Sequence, residues 1–477
     1  MSQRISLKET LSKLPPEWSE DPLGAINQLL GERPNHKLIV LDDDPTGTQT
    51  VTNVTIITRW DIFSLVAELS SDAPGFFVLT NSRSLPEPES KALHHEIALN
   101  IRQALELSNT TATIISRSDS TLRGHYPLET DTIAEELKQP DLLILAPFFE
   151  AGGRYTINDV HYVTEGDTLI PAADTPFAED KAFAYKNSNL PEWVEEKTKG
   201  EVPASSVECI SLDQLRTEGP QSLSKYLLSL PKGTVCITNA ASARDIEVLA
   251  LATLLAEKEG RTISFRSAAS IVAARLGQRP SSPLSARALI PEDSTTGGLT
   301  IVGSYVPKTS AQLKCLLSLD TIFKIELSVE DILSPSKTEE TLHNAIEAIN
   351  TALCIGKDVV LYTSRDLVSG PDASTSLGIG RMVSNALVRI ASELTETPRY
   401  FIAKGGITSS DIATQGLGIN RAIVQGQALP GVPVWKLGHE TKFKGMNYII
   451  FPGNVGTDES LATLVSELQR VERPAHI

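Results

Sequence analysis

Short apolar runs rich in β-branched residues recur from residue 38 onward, and longer amphipathic stretches separate them. The first six are LIVL (38–41), GFFVL (75–79), TATII (111–115), DLLIL (141–145), TVCIT (234–238) and TISF (262–265). Six more follow residue 298, namely LTIVG (299–303), IFKIEL (322–327), DVVLYT (358–363), YFIA (400–403), AIVQG (422–426) and YIIF (448–451). This alternation is typical of βαβ units. We therefore predict an α/β fold with two doubly wound, mostly parallel sheets.

The boundaries between domains follow from local composition. Residues 276–298 are rich in Pro, Ser and Gly and show little apolar periodicity, which indicates a linker. Near the start of the chain, Ser6 and Glu9 form a capping-box pattern ahead of a short helix. The predicted organisation is a helical extension at 1–35, a first domain at 36–275, a linker at 276–298 and a second domain at 299–477.

The charge of the chain limits the partners that it can bind. Its 43 Lys and Arg residues stand against 59 Asp and Glu residues, for a formal net charge of -16. This excess of negative charge, without a basic run, opposes binding to nucleic acid or to an anionic membrane surface. The N-terminus is polar, and no segment approaches the ~18 apolar residues of a membrane span. We predict a cytoplasmic protein that binds small molecules and has no nucleic-acid or membrane partner. The sequence leaves open whether the protein forms a homodimer.

Three adjacent aspartates follow the first predicted strand, at the edge where open α/β sheets bind ligands. The like charges of Asp42, Asp43 and Asp44 repel unless a cation, a shared proton or a basic partner compensates them. One aspartate could accept a proton from a substrate hydroxyl, while Thr46 and Gly47 form a tight turn that brings backbone N–H groups to a ligand. The alternative is that one aspartate caps the next element and the other two face solvent.

Arginines also collect at predicted strand ends. Arg117 and Arg123 lie in the segment SRSDSTLRG (116–124), where two guanidinium groups could clamp a carboxylate. Arg83 and Arg154 follow other apolar runs. The alternative is that these arginines form ion pairs with the nearby aspartates, and we expect most of them to be at least partly structural. Together they predict a local electropositive cleft that suits an anionic substrate.

Paired glycines mark the loops of the second predicted domain. Gly405 and Gly406 follow Lys404 after one strand, and Gly453 with Asn454 follows the last strand. Such loops let backbone amides approach phosphate oxygens, although strand-to-helix turns also use glycine for steric reasons alone. The chain has no GxxxxGK[ST] motif, so a nucleotide bound here would not use a Walker A loop.

Several loops, in the same order, resemble those of the four-carbon acid sugar kinase family, long catalogued as a domain of unknown function. The D-D-x-T-G loop of the family is matched by Asp43, Asp44, Thr46 and Gly47, and its D-S-T-L-R-G segment by residues 119–124. The other similar segments are TPFAEDKAFAYKNSNL (175–190), GSYVPKTSAQL (303–313), GGITS (405–409) and PGNVG (452–456). The resemblance extends from about residue 38 to residue 466.

This resemblance implies a substrate-binding N-terminal domain and a nucleotide-binding C-terminal domain, with the active site in the cleft between them. The implied activity is ATP-dependent phosphorylation of the terminal hydroxyl of a tetronate-like sugar acid, with ATP and Mg²⁺ as cofactors. Asp43 is then the residue that accepts the hydroxyl proton, and Arg123 holds the acid at the catalytic centre. The substrate-binding residues implied with them are Asp44, Thr46, Gly47, Arg83, Arg117, Asp119 and Ser120. The ATP-binding residues are Ser304, Lys404, Gly405, Gly406, Ile407, Gly453 and Asn454.

The chain departs from the family pattern at three places. Ile407 stands where many members carry an acidic residue after the paired glycines, Arg117 replaces the usual Lys, and Phe451-Pro452 replaces Lys-Ser or Lys-Pro. The magnesium ligand is therefore left unassigned, with Asp411 and Asp366 as alternatives.

Two other functions compete with the kinase. The pattern Asp42-x-Asp44-x-Thr46 after a strand also fits the nucleophile loop of haloacid-dehalogenase-like phosphatases. A phosphatase would need a later Lys and an acidic pair on the same sheet, and it leaves the second domain unexplained. The other alternative is a non-catalytic sensor of a sugar acid and a nucleotide, in which Ile407 marks a lost metal site.

Overall fold

A computed structural model of the protein describes residues 4–365 and 373–472. The chain divides into two compact units, Met1–Pro280 and Ser281–Ile477, which we call the first unit and the second unit. Among the described residues, no helix is both long enough and apolar enough to cross a membrane.

The strands of the first unit form a large parallel sheet and a small antiparallel one. They are β1 (Ile5–Ser6), β2 (His36–Asp42), β3 (Val54–Ile57), β4 (Gly75–Leu79), β5 (Thr111–Arg117), β6 (Leu142–Ala146), β7 (Arg154–Ile157), β8 (Val160–Glu165), β9 (Thr168–Pro171), β10 (Glu208–Ile210), β11 (Thr234–Thr238) and β12 (Ile263–Ser267). The large sheet has the order β10-β11-β6-β12-β5-β2-β4-β3, with parallel pairing throughout. The small sheet has the order β1-β9-β8-β7.

Helices follow or precede these strands as the amphipathic stretches predict. They are α1 (Leu7–Ser12), α2 (Leu23–Glu32), α3 (Ile62–Leu69), α4 (Glu87–Ser108), α5 (Leu128–Leu137), α6 (Leu190–Lys197), α7 (Gly219–Ser229), α8 (Ala243–Lys258) and α9 (Ala269–Arg275). Helix α4 shows why they pack, because Ile97 and Ile101, four residues apart, are fully buried against the apolar strands β2 and β4. At the start of α1, Ser6 accepts a hydrogen bond from the Glu9 amide at 3.2 Å.

The second unit contains one sheet with a parallel centre. Its strands are β13 (Leu299–Val302), β14 (Ile322–Leu327), β15 (Asp358–Thr363), β16 (Phe401–Lys404), β17 (Arg421–Leu429), β18 (Val432–Leu437) and β19 (Asn447–Phe451). The order is β17-β18-β19-β16-β13-β15-β14, and only the pairs β17–β18 and β18–β19 of this described sheet are antiparallel. Its helices are α10 (Ala286–Leu289), α11 (Pro307–Leu317), α12 (Val329–Leu333), α13 (Thr338–Cys354), α14 (Ala373–Glu393), α15 (Gly406–Asp411) and α16 (Ser460–Gln469).

Both units share one arrangement of strands. The first four strands of each parallel sheet lie in the order β3-β4-β2-β5 and β14-β15-β13-β16. In the first unit, the two strands that follow β2 in the chain lie on one side of it in the sheet, whereas β5 lies on the other side. In the second unit, the two strands after β13 lie on one side of it and β16 lies on the other. Such a reversal separates the loops that follow the two central strands and opens a crevice at their carboxyl ends. The fold thus places one candidate binding crevice in each unit.

The predicted α/β class with two doubly wound, mostly parallel sheets is confirmed, and differences occur at the periphery. The N-terminal extension is not purely helical, because the two-residue strand β1 pairs with β9. The small sheet β7–β9 and the strands β3, β10 and β18 have no counterpart among the predicted strands. Within residues 276–298, helix α10 adds the fully buried Leu289 to the core of the second unit.

Candidate functional site

The carboxylate of Asp42 lies in the interior of the first unit, at the end of β2. Arg117 at the end of β5 donates from Nη1 to Asp42 Oδ1 at 3.0 Å, and Asp42 is fully buried. Asp42 Oδ2 has no hydrogen-bond donor among the residues that the structure describes. Burial raises the pKa of Asp42 to about 7, although Arg117 opposes this shift. A methyl group at Gly47 would lie 2.0 Å from Asp42 Oδ2, so glycine is required at this close approach.

Asp43 connects three loops at the switch point of the sheet. Arg83, from the turn after β4, donates from Nη2 to Asp43 Oδ1 at 2.5 Å and from Nε to Oδ2 at 3.0 Å. Ser118, directly after β5, donates its hydroxyl to Asp43 Oδ2 at 2.6 Å. The bidentate guanidinium contact and the hydroxyl fix the carboxylate in one orientation.

Asp44 caps the turn that follows it, as the capping alternative expects of one of the three aspartates. Its Oδ1 accepts hydrogen bonds from the amide of Thr46 at 2.8 Å and from the hydroxyl of Thr46 at 2.5 Å. Arg83 Nη1 lies 3.5 Å from Asp44 Oδ2. Although burial opposes the shift, Arg83 and Thr46 hold the pKa of Asp44 below its usual value. With a side chain 19% exposed, Asp44 is more accessible than Asp43, which is 2% exposed.

The segment after β5 forms its own ion pairs. Arg123 donates from Nε to Asp119 Oδ2 at 2.6 Å, and its Nη1 lies 3.5 Å from Asp180 Oδ2. Burial works against ionisation of Asp119, but Arg123 and Arg83 hold its pKa well below the usual range. Arg123 is thus largely neutralised by carboxylates of the protein.

Two buried side chains fix the backbone of this segment. His161 on β8 hydrogen-bonds through Nε2 to the carbonyl of Ser120 at 2.8 Å, and Arg266 on β12 donates to the carbonyl of Arg123 at 2.7 Å. Sequence reasoning assigned neither residue to the site. A charged residue directly after the apolar run TISF is the signal that could have identified Arg266.

The structure brings the predicted residues of the first unit to one edge of its sheet. These are Asp43, Asp44, Thr46, Gly47, Arg83, Arg117, Asp119, Ser120 and Arg123. The structure does not bring Arg117 and Arg123 together as a pair of guanidinium groups available to bind one carboxylate. Arg117 is 4% exposed and is paired with Asp42, so it neutralises a buried carboxylate.

Three loops meet at the switch point of the second unit. A methyl group on Gly405, whose φ is +114°, would lie 2.9 Å from Ser304 Cβ, so the loops after β16 and β13 are in contact. The Gly405 amide donates to the carbonyl of Phe451 at the end of β19, at 2.9 Å. On α11, Thr309 donates to the carbonyl of Gly453 at 3.1 Å. The predicted residues Ser304, Gly405 and Gly453 therefore lie side by side.

Lys404 at the end of β16 lies in the interior, against the loop that follows β19. It is fully buried, and its Nζ donates to the carbonyls of Pro452 at 2.5 Å and Gly453 at 3.3 Å. The same Nζ lies 4.3 Å from the centre of the Phe451 ring. Burial lowers the pKa of Lys404 to about 7, with Lys308 adding to the shift. The structure therefore places the Lys404 ammonium group where it holds the glycine loop after β19.

Gly406 begins helix α15, and Ile407 in its first turn is 63% exposed. Asn454 is also exposed. Arg365, which sequence reasoning did not single out, donates to the Ser304 carbonyl at 2.9 Å and to the Ser310 hydroxyl at 2.5 Å. Its position two residues beyond a predicted strand is the signal that could have identified it.

No metal site can be assigned from the side chains. The described part of the chain contains no group of three or more His, Cys, Asp or Glu residues that could hold an ion. Asp411 accepts a hydrogen bond from the Ser384 hydroxyl, and burial raises the pKa of Asp411. Asp366, the other alternative, lies outside the described residues.

The fold and these loops define a protein with two doubly wound α/β domains, each with polar loops gathered at its switch point. A model of a sugar-binding N-terminal domain matches residues 38–275, and a model of a nucleotide-binding C-terminal domain matches residues 299–461. The chain therefore belongs to the four-carbon acid sugar kinase family. The resemblance seen in the sequence is confirmed.

Solved structures show the same fold. The Haemophilus influenzae protein HI1011, of the family DUF1537, is 19% identical, with coverage of 91% of this chain and 99% of that one and a TM-score of 0.61. A Salmonella typhimurium LT2 protein named as a "putative tRNA synthase" is 18% identical over 91% and 99% of the two chains, with a TM-score of 0.64. No curated protein matches the chain. At these identities the likeness concerns the fold alone.

Proposed function

We propose that the protein is an ATP-dependent kinase that phosphorylates the terminal hydroxyl of a small, tetronate-like sugar acid. The observation that carries this proposal is the carboxylate of Asp43, fixed by Arg83 and Ser118 at the switch point of a sugar-binding domain. The same chain contains a nucleotide-binding domain. Phosphoryl transfer depends on positioning and charge neutralisation more than on covalent chemistry, and these loops supply both.

In the first unit, Asp43 is the proposed acceptor of the hydroxyl proton. Of the three aspartates, Asp42 is sealed behind Gly47 and Asp44 caps a turn, whereas Asp43 joins the loops that follow β2, β4 and β5. A carboxylate held this way can accept a proton as the oxygen–phosphorus bond forms. Thr46, Asp119 and Ser120 lie on the same edge as candidate contacts for the sugar hydroxyls.

In the second unit, the residues fit a nucleotide phosphate chain. Gly405 allows the close contact between the loops after β16 and β13, and glycine-rich loops of this kind let the backbone approach phosphate oxygens. Bound ATP would supply the transferred phosphoryl group. Mg²⁺ is commonly held by substrate phosphates with one or two carboxylates, so the lack of a complete side-chain cage in the described residues is compatible with it. Where the acid and ATP meet stays a prediction.

The packing of Asp42 against Gly47 argues against the phosphatase alternative. A nucleophilic aspartate must reach the phosphorus atom of a phosphoester, but Gly47 lies directly against the Asp42 carboxylate, whose Oδ1 is paired with Arg117. Asp44, the acid in that mechanism, is engaged as a cap.

Acid-dependent ATP turnover tests the kinase against the remaining alternatives. The purified chain is incubated with Mg-ATP and a panel of tetronates, and ADP is measured together with the phosphorylated acid. A kinase forms both in equal amounts, and only when the acid is present. A sensor binds ligands without forming ADP, and a phosphatase releases phosphate from a phosphoester without ATP.

A further inference from the structure

We propose that Arg154 is the receptor for the substrate carboxylate, with the ring of Phe177 as the wall of this subsite. The inference rests on the proposed function and names the part of the first unit that selects an acid over a neutral sugar. Arg154 begins β7, the strand at the end of the small antiparallel sheet.

The first observation is that Arg154 lacks an anionic partner. Arg83, Arg117 and Arg123 each contact an aspartate at 3.0 Å or less. Among the side chains that the structure describes, none forms an ion pair or a hydrogen bond with the Arg154 guanidinium, and its Nε is buried without an acceptor. A guanidinium remains charged at neutral pH, so its partial burial without a counterion costs free energy. A ligand that carries the missing negative charge removes this cost.

The second observation is the position of Arg154 beside the predicted substrate loop. Its Cζ lies 5.6 Å from the centre of the Phe177 ring, and the Cζ of Arg123 lies 5.2 Å from the same centre. Although burial is the larger influence and lowers the pKa of Arg154, Asp119 acts in the opposite direction through its charge. The free guanidinium therefore adjoins the segment that carries Asp119 and Arg123.

Arg123 and Arg154 differ in their partners, and we assign them different roles. Arg123 is already compensated by Asp119 and Asp180, and a ligand carboxylate there would compete with both. Arg154 offers a planar set of N–H donors that can bind both oxygens of a carboxylate. The ring of Phe177 supplies an apolar face that forms no hydrogen bond with a ligand hydroxyl. Arg154 thus suits the carboxylate of a small acid, and Arg123 serves to fix the loop.

The test compares a charged ligand with its neutral counterpart. Calorimetry on the full chain, without nucleotide, measures binding of the four stereoisomeric tetronates and of the corresponding four-carbon polyols. We expect Arg154→Met to weaken tetronate binding about ten- to a hundredfold, the effect of losing a charge-assisted contact, and to leave polyol binding unchanged. Arg154→Lys should restore part of the tetronate affinity. The matched control is Arg102→Met, a surface arginine that is 45% exposed and paired with Glu136.

Thermal unfolding separates a ligand-binding role from a structural one. Because the Arg154 side chain makes no ion pair or hydrogen bond with the described side chains and its charge is partly buried, Arg154→Met should keep or raise the melting temperature of the unliganded protein. Arg123→Met, which breaks the pair with Asp119, should lower it. Equal loss of tetronate and polyol binding, a lowered melting temperature in Arg154→Met, or no binding of any tetronate by the wild type would each overturn the proposal. Arg154-dependent tetronate binding without ATP turnover would instead refute the kinase and leave this subsite intact.

Discussion

At the scale of single residues, the role of each charged group follows from the residue with which it is paired. The aspartates of the DDD sequence are adjacent, yet Asp42 pairs with a buried arginine, Asp43 joins three loops and Asp44 caps a turn. Crowding of like charge in the sequence predicted the cluster. It could not predict the division of roles, because the partners Arg83, Arg117 and Ser118 come from other strands.

Asp43→Asn tests the proposed proton acceptor. An amide cannot take up the hydroxyl proton, so we expect acid-dependent ADP formation to fall about 10²- to 10⁴-fold. The affinity for ATP, measured by calorimetry, should stay unchanged, since Asp43 belongs to the first unit. Asp213→Asn, at an exposed aspartate of the same unit, is the matched control. Near-normal turnover in Asp43→Asn would remove Asp43 from this role.

Ile407→Asp tests the departure from the family pattern. The side chain of Ile407 is 63% exposed, so a charge there costs the fold little. If the acidic residue of other members orders magnesium, restoring it should lower the Mg²⁺ concentration that gives half-maximal turnover. Ile355→Asp, at a position 66% exposed, controls for the added charge. A neutral or harmful effect of Ile407→Asp, with a magnesium defect in Asp411→Asn or Asp366→Asn, would show that the ligand lies elsewhere.

At the scale of elements, the small sheet β7–β9 supports the substrate loop. His161 on β8 reaches the Ser120 carbonyl, and Tyr185 donates to the Thr121 carbonyl at 2.8 Å. The sequence predicted six of the eight strands of the large sheet, because parallel strands buried on both faces are continuous apolar runs. The small sheet escaped prediction because its strands mix polar and apolar residues, as in VHYVTE (160–165).

The link through His161 predicts a dependence on pH. Burial lowers the pKa of His161 to about 4 from a usual 6.5, so between these values the unfolded chain binds a proton that the folded chain does not. The free energy of unfolding should therefore fall as the pH drops from 6.5 to 4, by about 3 kcal/mol from this group. Denaturant titrations at several pH values should show a shallower decline in His161→Asn. His95→Asn, at a half-exposed histidine, should keep the wild-type slope. Parallel curves for wild type and His161→Asn would contradict this account.

At the scale of the whole molecule, two units repeat one strand order around a switch point. The alternation of apolar runs and helices predicted both sheets, and the rule that ligands bind at the carboxyl ends of strands selected the loops that the structure gathers there. The interior position of Lys404 could not be predicted in this way. Its side chain turns under the loop at 452–453, and only tertiary packing decides that direction.

The division into two units predicts that each ligand protects its own unit from hydrogen exchange. A ligand that binds the native state lowers the population of locally opened forms around its site. A bound tetronate should therefore slow exchange in residues 42–47 and 117–124, and Mg-ATP should slow it in residues 303–310, 404–409 and 451–456. Exchange followed by mass spectrometry on the full chain measures both sets of segments, and the peptide over α7 serves as an internal control. ATP that protects no segment of residues 299–461, with any tetronate present, would exclude the kinase and leave the sugar-acid sensor as the function of this fold.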